Sequence, residues 1–351
     1  MRTVLLIVWL ALLFSVVFIE RKNPTEALLW VILLVLAPPV GAVLYLVLGS
    51  TLTDKVTRLI LRERLKNRQD AMQRIVGAED ALRTQLSEED GVVARFNERY
   101  GDAPLTSYRD ATIFTDGESH YRQLYEDIAH AEHSIHVLFY TIQNDQTGRA
   151  LVHALAEKAK QGVEVWVMFD FLANLTVPNR MYRELVRSGG QFKRVKPFIH
   201  HFRSHRKIVV IDGKLGYIGG MNIGDKYAGK AAKKSPWRDT QIRLTGACVR
   251  RLEAEFLGAW ITALSRSDCE RLAPAFEEDM RRAETERDGS VCQIVTGGVE
   301  TDKQAIKFCY LSLIRSAKQR IRIQTPYFIP DASVLDALKV ACASGVEVEL
   351  M

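Results

Sequence analysis

The chain has 351 residues, of which 47% are hydrophobic and 26% are charged, so a full core is permitted and the length allows roughly two domains. The formal net charge is +6 and the sequence pI is about 9.0, which favours anionic partners such as phospholipid headgroups or nucleic acid. The five cysteines form neither a CxxC pair nor a Cys/His cluster. This pattern excludes a cysteine-based metal site and indicates reduced packing residues in a cytosolic setting.

Two apolar runs open the chain. Thr3–Ile19 contains 17 residues without a charge, and Ala27–Leu48 contains 22. Each run is near the length that crosses the hydrocarbon core of a bilayer. The first run alone is compatible with a signal peptide, but it lacks an A-x-A cleavage site and a second run follows at once. The pattern favours a two-helix transmembrane hairpin over residues 1–50, in which Pro38-Pro39 kinks the second helix or marks a shallow re-entrant segment.

A basic stretch follows the hairpin. Six cationic residues lie between positions 55 and 68, whereas the loop between the two apolar runs carries Arg21-Lys22 alone. The positive-inside rule therefore places Met1 and the stretch after Leu48 in the cytoplasm. The basic cluster is compatible both with binding of anionic lipid and with the solvated face of a linker helix. Residues 51–105 are predicted to form this charged juxtamembrane connector.

The pattern then alternates between helices and strands. Helices are predicted over Ser119–Ala131 and Ala150–Lys160, and the strands Ser134–Tyr140 and Val163–Phe169 follow them. This alternation is typical of an α/β sandwich, which we place at residues 106–290.

An internal repeat extends this unit. The apolar positions Ile128, Ala131, Ile135 and Val137 recur with the same spacing as Ile314, Ala317, Ile321 and Ile323. Asp145 corresponds to Asp331, and Gly162–Val165 corresponds to Gly345–Val348. Residues 291–351 are therefore predicted to be the incomplete start of a second copy of the α/β unit.

The repeat also predicts where a second site would fall. In the first copy His205 follows Met168 by 37 residues (205 − 168), and Met168 corresponds to Met351. A second histidine is therefore expected about that far beyond Met351, and the printed chain is expected to be truncated before it.

The chemically distinctive residues of the first copy lie between positions 205 and 222. His205 and Lys207 accompany a β-branched run that ends at Asp212-Gly213, a pair typical of hairpin turns. Because side chains alternate along a strand, His205 and Lys207 are predicted to share one face. An imidazole beside a fixed ammonium can attack a phosphoryl group while the ammonium holds its anionic oxygens.

The pattern His205-x-Lys207-x-x-x-x-Asp212 resembles the HKD motif of the phospholipase D superfamily. The apolar N-terminal residues are similar to those of the bacterial cardiolipin synthases. Four further segments are similar to the same family: Arg203–Gly213, Gly219–Tyr227, Trp237–Thr240 and Gln324–Pro330. The resemblance covers nearly the whole chain. It implies a phospholipase D-like α/β/α sandwich, present as its first half and the start of its second repeat, behind the transmembrane hairpin.

The resemblance and the chemistry assign the same roles to the residues around the motif. His205 is the expected nucleophile, which forms a phosphatidyl-histidine, and Lys207 is expected to bind the non-bridging phosphate oxygens. Asn222 resembles a second phosphate-binding residue of the family. Gly220 has no side chain, so the backbone there could approach the phosphate closely.

Two aspartates complete the candidate set. Asp239 resembles the acid that binds the far nitrogen of the nucleophilic histidine and fixes its tautomer. Asp212 is a catalytic candidate, but a structural role in the Asp-Gly turn is at least as strong an interpretation. His200 and His201 are not interpreted as metal ligands, because no carboxylate or cysteine lies at a matching spacing.

The resemblance implies a membrane-bound phosphatidyltransferase that makes cardiolipin from two phosphatidylglycerol molecules and releases glycerol. In that family the histidine of a second HKD motif performs the proton transfers. The printed chain does not contain that motif, so by itself it is expected to be inactive or nearly so. No cofactor or metal is implied. The implied partners are anionic phospholipids (phosphatidylglycerol and cardiolipin) and the membrane, without nucleic acid. The implied location is the bacterial inner membrane, as a multi-pass protein with its catalytic domain in the cytoplasm.

Two alternatives remain open at the level of sequence. The first is a single-motif phosphodiesterase or phospholipase that completes its site by forming a homodimer. The second is a non-catalytic membrane protein that binds anionic lipid. Loss of turnover on His205→Ala distinguishes either enzyme from the binding protein.

Overall fold

A computed structural model of the chain describes residues 2–20, 24–50, 80–195, 204–230, 237–263, 289–298 and 303–351. The predicted basic cluster at positions 55–68, Arg21-Lys22, and His200 and His201 lie outside these described residues. The chain divides into two compact units. One contains the described residues up to 50, and the other contains those from 80 onward.

The described residues form the following elements. The α-helices are α1 (Arg2–Phe14), α2 (Pro24–Leu36), α3 (Pro38–Leu44), α4 (Asp80–Arg83), α5 (Glu88–Gly101), α6 (Gly117–Ala129), α7 (Gln146–Lys160), α8 (Arg183–Arg187), α9 (Cys248–Thr262), α10 (Ala305–Ser316) and α11 (Ala332–Ala343). The strands are β1 (Thr106–Tyr108), β2 (Ala111–Phe114), β3 (Ser134–Phe139), β4 (Glu164–Asp170), β5 (Gln191–Val195), β6 (Ile208–Ile211), β7 (Leu215–Gly219), β8 (Gln241–Thr245), β9 (Ser290–Cys292), β10 (Arg320–Ile323) and β11 (Glu347–Leu350).

The described residues of the N-terminal unit form the three short α-helices α1, α2 and α3. The π-helical turns Ser15–Ile19 and Tyr45–Gly49 follow α1 and α3. The second apolar run is divided at Ala37, because prolines occupy the first positions of α3 and cannot donate the backbone hydrogen bonds that would continue α2. Of the helices that the structure describes, none combines the length and apolarity needed to span a bilayer. The predicted transmembrane hairpin, with its multi-pass topology, is therefore not found in the structure.

The central sheet of the second unit contains seven strands in the order β2-β8-β7-β6-β3-β4-β5. Strands β3, β4 and β5 are mutually parallel, and the remaining neighbours pair antiparallel. The predicted helices and strands of this region are found. Helices α6 and α7 begin earlier than predicted, because Asp116 and Asp145 cap them by accepting hydrogen bonds from backbone N–H groups.

Alternation along the strands divides the core into two layers. Val137 on β3 and Val165 on β4 face one cluster, which packs beneath α6 and α7. Leu138 and Trp166, each one residue further along, face a second cluster formed with α9. Because successive strand residues point to opposite faces, the sheet is covered on both sides, and the predicted α/β/α sandwich is confirmed.

The predicted repeat is visible in the pairing of the strands. Ile135 pairs with Val165 in the first copy, and their counterparts Ile321 and Val348 pair in the parallel sheet of β10 and β11. The equivalent turns before β4 and β11 place Gly162 and Gly345 at φ of 89° and 90°, a conformation that favours glycine. The two copies therefore share one local fold.

The copies differ in burial. All six residues of β3 are buried, whereas β10 alternates between exposed and half-buried residues. Helix α10 packs partly against α5, where the rings of Phe96, Tyr100 and Phe308 form one aromatic cluster. The second copy is thus held mainly by α5 and by its own small core around Ile314 and Leu338.

Candidate active site

His205 and Lys207, the predicted nucleophile and phosphate-binding residue, lie just before β6, at the carboxyl end of β3. Strand β6 runs antiparallel to β3, and Ile208 pairs with Leu138. The residues before Ile208 therefore lie beside those that follow Leu138, including Tyr140. The carboxyl ends of parallel strands are a common location for ligand sites in α/β folds.

His205 and Lys207 are in contact. The Lys207 Nζ atom lies 3.1 Å from His205 Nδ1 and donates to the His205 backbone carbonyl at 2.6 Å. The predicted sharing of one face is therefore confirmed. His205 is exposed, whereas Lys207 is only 2% exposed. The site thus presents an accessible imidazole above a buried ammonium.

The environment of Lys207 changes its acidity. Burial lowers the pKa of Lys207 from its usual value to about 8, and the negative charge of Asp239 raises it in part. The ring of Tyr140 lies 5.4 Å from Nζ, within cation–π range. At neutral pH the ammonium remains predominantly charged, so it can attract an anionic group into the site.

Tyr140 is a site residue that the sequence interpretation did not assign to the site. Its ring centroid lies 4.6 Å from that of His205, at an interplanar angle of 55°. A prediction that β3 pairs antiparallel with β6 would have placed Tyr140 beside His205. In the sequence, Tyr140 is the last residue of the predicted strand Ser134–Tyr140.

Asn222 fastens two loops at the same end of the sheet. Its side-chain oxygen accepts from the Thr141 backbone N–H at 3.1 Å, and its amide donates to the Tyr227 hydroxyl at 3.0 Å. The Tyr121 hydroxyl donates to its backbone carbonyl. One amide hydrogen of Asn222 already has a protein partner, so the observed contacts are those of a loop anchor.

Gly220 lies against Asp239. A Cβ atom at position 220 would lie 2.0 Å from the Asp239 Oδ1 atom, closer than any contact allows. The Asp239 carboxylate accepts from the Thr240 backbone N–H at 2.8 Å and from Trp237 Nε1 at 3.4 Å. The structure thus brings Asp239 to the Gly219-Gly220 turn, where its charge acts on Lys207. A bond from Asp239 to the His205 ring stays a prediction.

Asp212 lies at the opposite end of β6 from His205. Six residues lie between them, and seven steps along an extended chain span roughly 20 Å. The Asp212 carboxylate accepts from the backbone N–H groups of Glu132, His133 and Ser134 at 2.7–2.9 Å. Its φ of 54° and the positive φ of Gly213 form the predicted hairpin turn, closed by the bond from Lys214 N to Ile211 O. The structure therefore does not bring Asp212 together with the other candidates.

One group of potential metal ligands occurs among the described residues, away from the motif. Ligand atoms of His153, Glu157 and Glu184 lie within 4.8 Å of one another on the protein surface. The Lys160 ammonium contacts both carboxylates, at 2.5 Å and 3.2 Å. These carboxylates are already neutralised by a protein cation, so the group is an ion-pair network.

The sandwich and the His-x-Lys pair together define a phospholipase D-like protein. The family described as "Cardiolipin synthase, PLD-like domain" matches residues 124–232 and 310–351, and "Phospholipase_D-nuclease N-terminal" matches residues 7–50. The first match includes His205, Lys207 and residues of both repeats.

Relatives of known name narrow the assignment. "Cardiolipin synthase 2" of Staphylococcus epidermidis is 35% identical, over 96% of this chain and 70% of that protein. The "Major cardiolipin synthase" of Bacillus subtilis is 34% identical, over 96% of this chain and 71% of that protein. The chain belongs to the bacterial cardiolipin synthase family.

A solved structure supports the fold. The phosphatidylserine synthase of Haemophilus influenzae superposes with a TM-score of 0.53 at 16% identity. The match covers 74% of this chain and 65% of that one. The chain thus spans about two thirds of the solved structure, and the likeness shows the phospholipase D-like fold.

Proposed function

We propose that this protein is a phosphatidyltransferase that makes cardiolipin from two phosphatidylglycerol molecules. The observation that carries the proposal is the contact between an exposed His205 imidazole and a buried Lys207 ammonium, 3.1 Å apart. Family membership supplies the substrate class. The pair has the two parts that substitution at a phosphodiester needs, a nitrogen nucleophile and a fixed cation for the anionic oxygens.

The proposed reaction has two substitutions at one phosphorus. A neutral His205 nitrogen attacks the phosphodiester of phosphatidylglycerol, so that an N–P bond forms and the P–O bond to glycerol breaks. The glycerol alkoxide leaves with a proton from a general acid. A hydroxyl of a second phosphatidylglycerol then loses a proton and attacks, which breaks the N–P bond and yields cardiolipin. The conjugate base of that general acid takes the proton of the second hydroxyl, so the acid is restored. Phosphorus keeps its oxidation state throughout, and no redox partner is needed.

Lys207 prepares the site for this sequence. Its Nζ atom contacts His205 Nδ1 in the structure. Since an ammonium has no lone pair, Nδ1 is the acceptor in that contact. When phosphate oxygens enter, the ammonium turns to them and releases the imidazole for attack.

The remaining candidates take supporting roles in the proposal. Asp239 moderates the charge of the site and orients His205, and Gly220 leaves the room that the Asp239 carboxylate occupies. Asn222 binds phosphate with its remaining amide hydrogen while it anchors the loop at Thr141. Asp212 maintains the hairpin turn at the far end of β6.

We further propose that the N-terminal unit brings the protein to the cytoplasmic side of the inner membrane. Its apolar side chains are extensively exposed, with Phe18 at 72% and Leu36 at 78%. Exposed apolar surface of this extent on a soluble protein marks an interaction surface. Contact with lipid would place the unit where both phosphatidylglycerol molecules reside.

Product analysis tests the proposed reaction. The protein expressed from its complete reading frame would be incubated with phosphatidylglycerol vesicles, and lipid products and glycerol would be followed by mass spectrometry. We expect cardiolipin and glycerol in equal amounts. His205→Ala should abolish both, and His153→Ala, which changes an exposed histidine of α7, should leave both unchanged.

Two other outcomes of this experiment would indicate a different function. Phosphatidic acid in place of cardiolipin would identify water as the acceptor and a phospholipase. Binding of the vesicles without turnover would support the non-catalytic alternative. Either result contradicts the proposed transferase.

A further inference from the structure

The side chain between the two catalytic residues contacts a different part of the protein. Arg206 separates His205 from Lys207 in sequence, while those two contact each other. The Arg206 Nη2 atom donates to the Gly297 backbone carbonyl at 3.1 Å and lies 3.5 Å from Glu255 Oε2. The catalytic segment is thus held from the side opposite its reactive groups.

Glu255 is the centre of this attachment. It lies on α9 and is 1% exposed. Its other oxygen, Oε1, lies 3.0 Å from Arg251 Nη2 and accepts from the Thr296 hydroxyl at 3.2 Å. A buried carboxylate needs such partners, because an unpaired charge in a protein core is strongly destabilising. One carboxylate therefore joins the catalytic segment, helix α9 and the chain that leads into the second repeat.

The catalytic segment depends on attachments of this kind. Residues 204–207 precede β6 and are not part of the sheet. Their position is therefore not fixed by the regular hydrogen-bond ladder that holds Ile208–Ile211. Reactive groups must be held to within a fraction of an ångström for efficient catalysis, and displacement by about 1 Å can cost roughly a hundredfold in rate.

We propose that Glu255 is a positioning residue, which holds Arg206 and thereby sets the geometry of the His205–Lys207 pair. Through Thr296 and Gly297, it also couples the pair to the segment that enters the second repeat. The proposal rests on the proposed function for its catalytic consequence, but the geometry of His205 can be measured without turnover.

The test compares two buried glutamates of the same helix. Glu255→Gln keeps the shape of the side chain and removes its charge. The matched control is Glu253→Gln, because Glu253 is as deeply buried as Glu255 and its Oε1 atom lies 2.7 Å from His136 Nδ1, away from the Arg206 contact. A third variant, Thr296→Val, removes one hydroxyl from the side of the second repeat.

Each variant of the full chain would be labelled at histidine with ¹³C and titrated by NMR, with His205→Ala assigning the His205 signal. Thermal unfolding would report on stability. We expect Glu255→Gln and Glu253→Gln to lower the melting temperature, but only Glu255→Gln to shift the His205 signal and its titration midpoint. Thr296→Val should shift the same signal in the same direction by less.

Activity provides the second measurement. Glu255→Gln should reduce formation of the phosphatidyl adduct about tenfold or more, beyond any loss of folded protein. A wild-type protein without adduct would contradict the proposed function, and the His205 signal would still decide the positioning role. An unshifted His205 signal in both Glu255→Gln and Thr296→Val, or an equal shift in Glu253→Gln, would overturn the proposal.

Discussion

At the scale of single residues, the charge of Lys207 is set by its surroundings. The ammonium is almost completely buried, and burial lowers its pKa to about 8, while Asp239 opposes the shift. The positive form is the protonated form, so it is populated below pH 8 and lost as the pH rises through that value. Binding of the anionic substrate by Lys207 should follow this titration.

This titration predicts an alkaline limit to activity. Adduct formation by the wild-type protein should fall as the pH rises above about 8, because the neutral amine no longer stabilises the phosphate oxygens. Lys207→Arg should remove that limit, because a guanidinium stays protonated throughout, although its fork geometry should lower the rate at pH 7 by about tenfold. Single-turnover rates between pH 6 and pH 10 provide the measurement. The control is Lys214→Arg, an exposed lysine in the hairpin turn, and an unchanged alkaline limit in Lys207→Arg would contradict the assignment.

Asp212 should affect stability rather than chemistry. Asp212→Ala removes a carboxylate that accepts hydrogen bonds from three backbone N–H groups. It also places alanine, which disfavours positive φ, at a φ of 54°. We expect a loss of about 2–3 kcal/mol in the free energy of unfolding, measured by urea denaturation. Asp212→Gly accepts the backbone conformation and isolates the hydrogen bonds, so it should cost less. A loss of turnover per folded molecule would return Asp212 to the catalytic set.

At the scale of elements, Asp145 connects the start of α7 to the loop that contains Asn222. Its Oδ1 accepts from Gly148 N at 2.9 Å and its Oδ2 from Asp225 N at 2.7 Å. Asp225 in turn accepts from Thr147 N at 2.8 Å. The helix cap and the Asn222 loop are therefore held by reciprocal bonds.

Removal of this connection should cost more than the loss of an ordinary helix cap. Asp145→Ala should lower the free energy of unfolding by about 2 kcal/mol or more, because it breaks two bonds in a half-buried setting. The matched variant Asp116→Ala removes the exposed cap of α6 and should cost about 1 kcal/mol. Equal losses in the two denaturation curves would show that the bond to Asp225 contributes nothing.

The elements also show what the sequence could reveal. The repeat predicted which residues correspond, and the strands pair in the same register, Ile135 with Val165 and Ile321 with Val348. Short-range patterns carried this information, since alternation and glycine turns are local. The contacts of Arg206 with Glu255 and Gly297 join distant parts of the chain, and no local pattern marks them.

At the scale of the whole molecule, the structure of the N-terminal unit was predicted less well from the sequence than that of the second unit. Apolar length predicted a two-helix transmembrane hairpin at residues 1–50, and the Pro38-Pro39 pair predicted a break in its second helix. Within the described N-terminal residues, the proline pair and the π-helical turns divide the runs into shorter pieces. In the second unit, the His-x-Lys spacing predicted that His205 and Lys207 share one face, and the two side chains are in contact. The burial that tunes Lys207 required the complete sheet.

The central claim is that His205 forms a covalent bond to the phosphatidyl group. Acid-free peptide mapping by mass spectrometry, after brief reaction of the full chain with phosphatidylglycerol vesicles, tests it most directly. We expect a phosphatidyl adduct on the peptide that contains His205, absent in His205→Ala and strongly reduced in Lys207→Ala. An adduct on another residue, or turnover by His205→Ala at the wild-type rate, would contradict the account.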